Sequence, residues 1–391
     1  MILTKMLFAF LLFFEIVNCS AQKLPAFLET EVAIGKVIGN YPNFPPTGIR
    51  TGLALSYGVL HNDSSRSWPA YFNFPVTGIT AAFHRLGNDQ VYGYEATIIP
   101  FVAMSPSKNS KSPLWFKLGM GASYFSKHYF SGDNTQNLSV GSAFNWAFQV
   151  HINKSWMLSK NVGFQAGLGF LHASNGHTQL PNFGLNSLAS EFGLTWYLNE
   201  SDPTYRPEKP VKPSGKKSIL LQARYGFGLQ EFGGTTGPIG GDKRPVHCIG
   251  LGAALMMRKQ WKIKANLTYR YYEHVNQYFI TQENKTNHWQ ASNLIFSIGS
   301  EFLMGHFGID VEVGLNVFKP FFRTFHDLYE SGGEFDYTLK RLFPSRFGFN
   351  TYLISNEKAW RNNLCLGASI CANFGEADFS ELSLTYVHRI R

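Results

Sequence analysis

Apolar and polar residues alternate along much of this chain, and the alternation defines its elements. From Trp261 to Tyr271 the sequence runs WKIKANLTYRY. Trp261, Ile263, Ala265, Leu267, Tyr269 and Tyr271 fall on one face of an extended segment, and Lys262, Lys264, Asn266, Thr268 and Arg270 on the other. A period of two is that of a β-strand. Phe307 to Val317 repeats the pattern, with Asp310, Glu312 and Asn316 opposite an apolar row. Ile219 to Leu229 sets Gln222 and Arg224 against another such row.

About sixteen segments of this kind are predicted. Eight lie at 27–38, 49–60, 76–85, 91–104, 114–128, 138–152, 161–173 and 186–198. Eight more lie at 218–230, 245–257, 260–273, 290–303, 306–318, 345–355, 361–374 and 380–390. Most are longer than the roughly five or six residues usual in soluble sheets. They match the tilted strands that cross a membrane, and aromatic residues gather at several of their ends, as in an interfacial girdle. The fold class is therefore all-β, an antiparallel outer-membrane β-barrel. One sixteen-stranded barrel and two tandem eight-stranded barrels both fit. The linker described next favours two, the rarity of tandem barrels favours one, and the balance leans slightly to one.

The halves are separated by NESDPTYRPEKPVKPSGKK, residues 199–217, whose four prolines and mixed charges predict a stiff, solvated, periplasmic linker. Residues 1–21 read as a secretory leader: Lys5, the apolar run MLFAFLLFF, and small residues at Cys19-Ser20-Ala21. The expected organisation is leader 1–21, a first barrel region 22–198 carrying the active site, linker 199–217, and a second set of strands 218–391.

Composition supports an exported membrane barrel. Aromatic residues make up 16% of the chain and charged residues also 16%, against roughly 25% charged in average soluble proteins. No stretch is long and apolar enough for a helical span. The net charge of +9 suits anionic lipid phosphates better than nucleic acid, which is not expected as a partner. Beyond the leader, Cys248, Cys365 and Cys371 are an odd set without CxxC spacing, so neither a disulfide framework nor a zinc site is expected. His84, His128, His151 and His388 are scattered without metal-ligand spacing, and His177 reads as a loop residue.

The candidate chemistry lies at the end of the seventh segment, in LHASNGHTQLPNFGLN, Leu171 to Asn186. Val162, Phe164, Ala166, Leu168 and Phe170 share the lipid-facing parity, and Gly163, Gln165, Gly167 and Gly169 the lumen-facing one. Continuing the count places His172 and Ser174 on the lipid side. In the eighth segment Leu188, Ser190, Phe192, Leu194, Trp196 and Leu198 face lipid, and Asn186 shares their parity. Glu191 has the opposite parity and points into the lumen. Polar groups turned toward hydrocarbon are costly unless paired or placed at the headgroups, so their gathering at the outer rim makes sense if the substrate is a lipid. His172 is the candidate general base, Ser174 the nucleophile, Asn186 the residue that orients the imidazole, and Asn175 an oxyanion donor.

At these residues the chain resembles the PagL-type lipid A 3-O-deacylases, also called acyloxyacyl hydrolases. The motif is His172-x-Ser174-Asn175 followed by Pro181-Asn182-x-Gly184, and the upstream tract GDNTQNLSVGSAFNW also looks like that family. The resemblance spans roughly residues 27–198, and the second half resembles longer members of the group. It implies a Ser-His hydrolase on the outer face of an eight-stranded barrel that removes an ester-linked acyl chain from lipid A of lipopolysaccharide. No metal or organic cofactor is implied. One departure stands out: well-described members carry a glutamate where this chain has Asn186. An amide orients a histidine but does not offset the charge of an imidazolium. The expectation is an outer-membrane esterase. The alternatives are a passive porin or structural barrel, with Lys262, Lys264, Arg270 and Arg224 against Asp310 and Glu312 lining an anion-leaning lumen, or a phospholipase using the outward-facing Ser174 and His172. Pairing of two copies as a homodimer stays open.

Overall fold

The computed structural model describes residues 24–62, 66–106, 112–198, 217–330 and 332–390. The predicted leader and nearly all of the proline-rich linker lie outside these residues. The chain folds into two closed antiparallel barrels. The first contains β1 (Ala26–Ile38), β2 (Arg50–Leu60), β3 (Val76–Arg85), β4 (Tyr94–Met104), β5 (Leu114–Phe125), β6 (Phe144–Met157), β7 (Val162–Ser174) and β8 (Leu185–Tyr197). It closes where β1 pairs with β8. The second contains β9 (Lys217–Glu231), β10 (Lys243–Met257), β11 (Trp261–Tyr272), β12 (Ser292–Met304), β13 (Phe307–Phe318), β14 (Pro344–Tyr352), β15 (Asn362–Asn373) and β16 (Glu376–Arg389), and closes through β16 and β9.

Two barrels replace the single continuous barrel that the sequence slightly favoured. The reason lies in edge pairing. Phe27 through Ile38 of β1 are fully paired with Tyr197 through Asn186 of β8, so the first sheet has no edge left to accept β9. Closure pairs each strand with a neighbour on both sides within its own unit, which a lipid environment requires.

The alternation then sorts the side chains. On β11, Ile263, Leu267 and Tyr269 are exposed on the outer face, while Lys262, Lys264, Asn266, Thr268 and Arg270 are buried in the lumen. The lumen of the second barrel is an ion-pair network, not the anion-leaning channel of the porin alternative. Lys264 Nζ lies 2.7 Å from Asp310 and 2.6 Å from Glu312. Arg346 reaches Asp310 at 2.6 Å and Glu381 at 3.1 Å, and Arg224 reaches Glu381 at 2.6 Å. Lys262 pairs with Glu301, and Arg270 with Asp378 at 3.4 Å. The cations are matched in number by carboxylates, and the cavity among them is about 20 Å³, room for roughly one water.

Helices absent from the strand prediction cover the outer mouth of this barrel. α2 (Glu273–Glu283) buries Val275 and Phe279 against Phe321, Phe379 and Cys371. α3 (Phe322–Tyr329) and α4 (Glu334–Leu342) follow β13. In α4, Glu334 and Asp336 occupy the first turn and Lys340 and Arg341 the last, each favourable to the helix dipole. α1 (Ser67–Tyr71) lies in the β2–β3 connection. Cys248, Cys365 and Cys371 are free and buried among apolar side chains.

The barrels meet side by side. Val102 of β4 has the lipid-facing parity of its strand yet is only 3% exposed, because it packs with Trp68 of α1 and with Met304 and Ile309 of the second barrel. Phe148 of β6 meets Phe347 of β14 edge-on, ring centroids 5.7 Å apart. At the end where α1 sits, Glu357 accepts hydrogen bonds from Ser67 N at 2.8 Å and Trp68 N at 3.1 Å.

Replacing Lys264 by methionine would leave Asp310 and Glu312 buried with Arg346 as the cation that still bonds both. Stripping one partner from a buried ionic cluster costs about 3–5 kcal/mol. Lys264→Met is therefore expected to lower the urea midpoint of the second barrel, read as loss of its heat-modifiable mobility on gels.

Candidate active site

β7 ascends to the outer rim and ends at Ser174, and β8 returns from Leu185. The register makes His172 the direct cross-strand partner of Asn186. On the other side His172 faces Phe148 of β6, and Ser174 faces Trp146. His172, Ser174 and Asn186 thus share the outward face. Glu191 sits in the lumen beside His151 and cannot reach them.

His172 Nδ1 donates to Asn186 Oδ1 at 2.7 Å. A carboxamide oxygen only accepts, so this bond fixes the proton on Nδ1 and leaves the Nε2 lone pair free to accept a proton. Gly184 makes room for the ring. Its φ is +75°, and a Cβ there would lie 2.6 Å from His172 Cε1. Ser174 lies two residues further along the strand, about 6.6–6.8 Å between Cα atoms, and is buried. No hydrogen bond joins Ser174 Oγ to His172 in this arrangement. Catalytic contacts of this kind commonly tighten only with substrate bound.

Asn175 organises the loop that follows. Its backbone N–H donates to Asn182 Oδ1 at 3.0 Å, its Nδ2 to the Gln179 carbonyl at 2.6 Å, and its Oδ1 accepts from Thr178 N at 3.0 Å. Asn182, which belongs to the Pro-Asn-x-Gly half of the motif, is therefore the residue that anchors Asn175. Phe183 N and Gly184 N donate to the carbonyls of Leu138 and Ser139, so the β5–β6 tract GDNTQNLSVGSA forms the other support of the loop. That role explains why residues 138–143, expected as strand, are loop, and why β6 begins at Phe144.

Two features at this rim were invisible in the sequence. Trp146 Nε1 donates to Ser380 Oγ of β16 at 2.7 Å. Loop 175–184 also touches the β9–β10 connection of the second barrel, through His177, Leu180 and Asn182. Neither contact follows from spacing, because the partners are more than fifty residues away.

Groups able to hold a metal lie elsewhere. Glu31, His151 and Glu191 gather in the first lumen. There His151 Nδ1 already pairs with Glu191 at 2.5 Å, and Glu31 accepts from Gln165 at 3.2 Å. His326, Glu330 and Asp336 form a second group, but Lys340 Nζ occupies it, 2.9 Å from Glu330 and 3.1 Å from Asp336. Neither cluster touches the Ser174 rim.

Closed antiparallel barrels with apolar outer faces and charged, filled lumens define a bacterial outer-membrane β-barrel protein. Within it, residues 52–195 match the family model of the lipid A 3-O-deacylase PagL, which bears out the resemblance carried by the His-x-Ser-Asn motif. No curated protein matches the chain. Among solved structures, one described as the outer membrane enzyme PagL is 17% identical, covering 42% of this chain and 97% of that one, with a TM-score of 0.30. OccAB4 of Acinetobacter baumannii is 10% identical over 95% of this chain and 99% of its own, at a TM-score of 0.22. A TodX monoaromatic hydrocarbon channel variant is 9% identical over 94% and 91%, at 0.18.

The His172–Asn186 bond generates a prediction. Asn186→Leu removes the acceptor and frees the ring to take the other tautomer. Labelling of Ser174 by a lipophilic fluorophosphonate should slow by about a hundredfold, within the range of lost general-base assistance. A Ser174→Ala chain should not label.

Proposed function

We propose that the chain is an outer-membrane serine esterase that removes an ester-linked hydroxyacyl chain from lipid A of lipopolysaccharide. The observation that carries this reading is the His172–Asn186 hydrogen bond, which presents a neutral imidazole base on the lipid-facing side of a barrel, next to Ser174.

In this mechanism Ser174 Oγ attacks the ester carbonyl carbon while His172 Nε2 takes the hydroxyl proton. The π electrons move onto the carbonyl oxygen, and the resulting oxyanion is met by amide donors at the turn. Asn175 Nδ2 has a hydrogen beyond the one given to Gln179 and is assigned that role. The intermediate collapses, the bond to the sugar oxygen breaks, and imidazolium returns its proton to that oxygen. Water then attacks the acyl-serine with the same base, releasing a fatty acid and restoring Ser174. Asn186 holds the ring through both halves. Being neutral, it lends the imidazolium only a dipole, so the rate should fall below that of a site with a carboxylate in this position. The basic excess of the chain suits the phosphates of lipid A.

The porin reading loses its main support, because the lumens are packed and the second mouth is covered by aromatic side chains. The test is lipid A mass spectrometry in a bacterium of defined lipid A that expresses this chain or its Ser174→Ala form. Loss of one hydroxyacyl chain with the native protein alone is expected, and the mass lost identifies the acyl group. Unchanged lipid A alongside a folded barrel would overturn the reading, and release of lysophospholipid would redirect it to glycerophospholipids.

A further inference from the structure

The loop that follows Ser174 is fastened to the second barrel as well as to its own. Glu231, at the end of β9, is 1% exposed and bridges the two units. Its Oε2 accepts from Leu180 N at 2.7 Å, its Oε1 accepts from Gly241 N at 2.6 Å, and its own N–H donates to the His177 carbonyl at 3.1 Å. Around it, His177 Nε2 donates to Gly233 O at 2.9 Å, Asn182 N to Thr235 O at 2.9 Å, and Lys243 Nζ to Gln179 Oε1 at 2.9 Å. Leu180 is itself 1% exposed. Ser380 of β16 completes the contact: it accepts from Trp146, the cross-strand neighbour of Ser174, and a Cβ on Gly176 would lie 2.2 Å from its Oγ.

From these contacts we infer that the second barrel is part of the hydrolytic site, with Glu231 as the positioning residue that holds the Asn175–Asn182 turn against Ser174. This rests on the serine-esterase reading above. The path is short. Glu231 fixes Leu180 and His177, and Thr235 fixes Asn182. Asn182 Oδ1 in turn holds Asn175 N, the residue next to the nucleophile. A buried carboxylate that accepts backbone N–H bonds from both loops is a stronger tether than neutral contacts provide. From its own barrel the turn is held by Gln179 Nε2, which donates to Gly141 O at 2.6 Å, and at its far end by the bonds from Phe183 and Gly184, while Glu231 is the carboxylate that fixes Leu180 N. Glu231 does not touch the substrate. It acts on the geometry of the donors, so its removal should lower turnover and leave substrate binding nearly unchanged.

The experiment uses the full-length protein purified in detergent, assayed on lipid A, comparing native chain, Glu231→Gln, and, as control, Glu334→Gln, whose exposed carboxylate on α4 pairs with Arg323 of α3. Glu231→Gln sets an amide N–H against one of the two backbone donors. It is expected to lower kcat by about tenfold with KM within about twofold, and to raise hydrogen exchange across residues 175–182. Glu334→Gln should match the native chain. Native kcat and native exchange in a folded Glu231→Gln protein would overturn the inference. Should that variant lose its heat-modifiable mobility, Glu231→Asp keeps the charge and withdraws it from Leu180, and the same two readouts decide. If the native chain itself leaves lipid A intact, the activity reading fails on its own. Exchange across 175–182 then decides the tether: a rise in Glu231→Gln upholds it, and no change rejects it.

Discussion

A strand in hydrocarbon cannot leave its backbone donors and acceptors unpaired, and most of this molecule follows from that constraint. β1 finds β8 and β9 finds β16, so each set of eight closes on itself and offers no edge to the other. Closure fixes parity, because a strand with both neighbours paired cannot slip by one residue without turning its charged row toward lipid. On β11 a slip would expel Lys262, Lys264 and Arg270 from their carboxylates in the second lumen. The same parity makes an outward-facing histidine and serine informative. In a soluble sheet they would be ordinary surface residues. On a barrel they occupy positions where polarity is costly.

Closed barrels can associate only through their outer faces. Here the lipid-facing rows of β4 and β6 are partly spent on protein contact: Val102 is buried against Met304 and Ile309, and Phe148 meets Phe347. The seam runs the height of the barrels, from Ser67 and Glu357 at one end to Trp146 and Ser380 at the other. The upper end of the seam coincides with the end of β7. The candidate nucleophile therefore lies where a lipid-facing wall turns into a protein–protein wall, which accounts for the burial of Ser174 on a face that parity assigns to the membrane.

Parity and strand number were legible in the sequence because a two-residue period and turn residues carry them locally. His172, Ser174 and Asn186 could be placed on one face from the count alone, and the register then set His172 opposite Asn186. Closure into two units was not legible. It depends on whether β8 returns to β1 or passes on to β9, and both choices bury the same residues. The helices were missed because they sit in connections between strands, where alternation stops and short apolar spacings carry little weight. Asp310 and Glu312 were visible beside the basic rows, but Glu301, Asp378 and Glu381, which complete the matching of cations by carboxylates, are spread over other strands. Glu231 was illegible for the same reason: its partner Leu180 is on the other barrel.

The seam also bears on Asn186. A carboxylate at that position would stabilise an imidazolium better than an amide does, provided that its own charge is solvated in the resting state. At a rim open to water and headgroups that condition holds. Between Trp146 and Phe148 of its own barrel and a second barrel that presents Ser380 and Phe347, an unpaired carboxylate would carry a desolvation penalty of several kcal/mol. No cation among the described residues is bonded to the Asn186 side chain, which bonds His172. The amide carries no such penalty, and its oxygen still selects the tautomer that leaves Nε2 free. A neutral orienting group and a neighbouring barrel are thus mutually consistent: the drier the site, the greater the advantage of orienting the base without burying a charge.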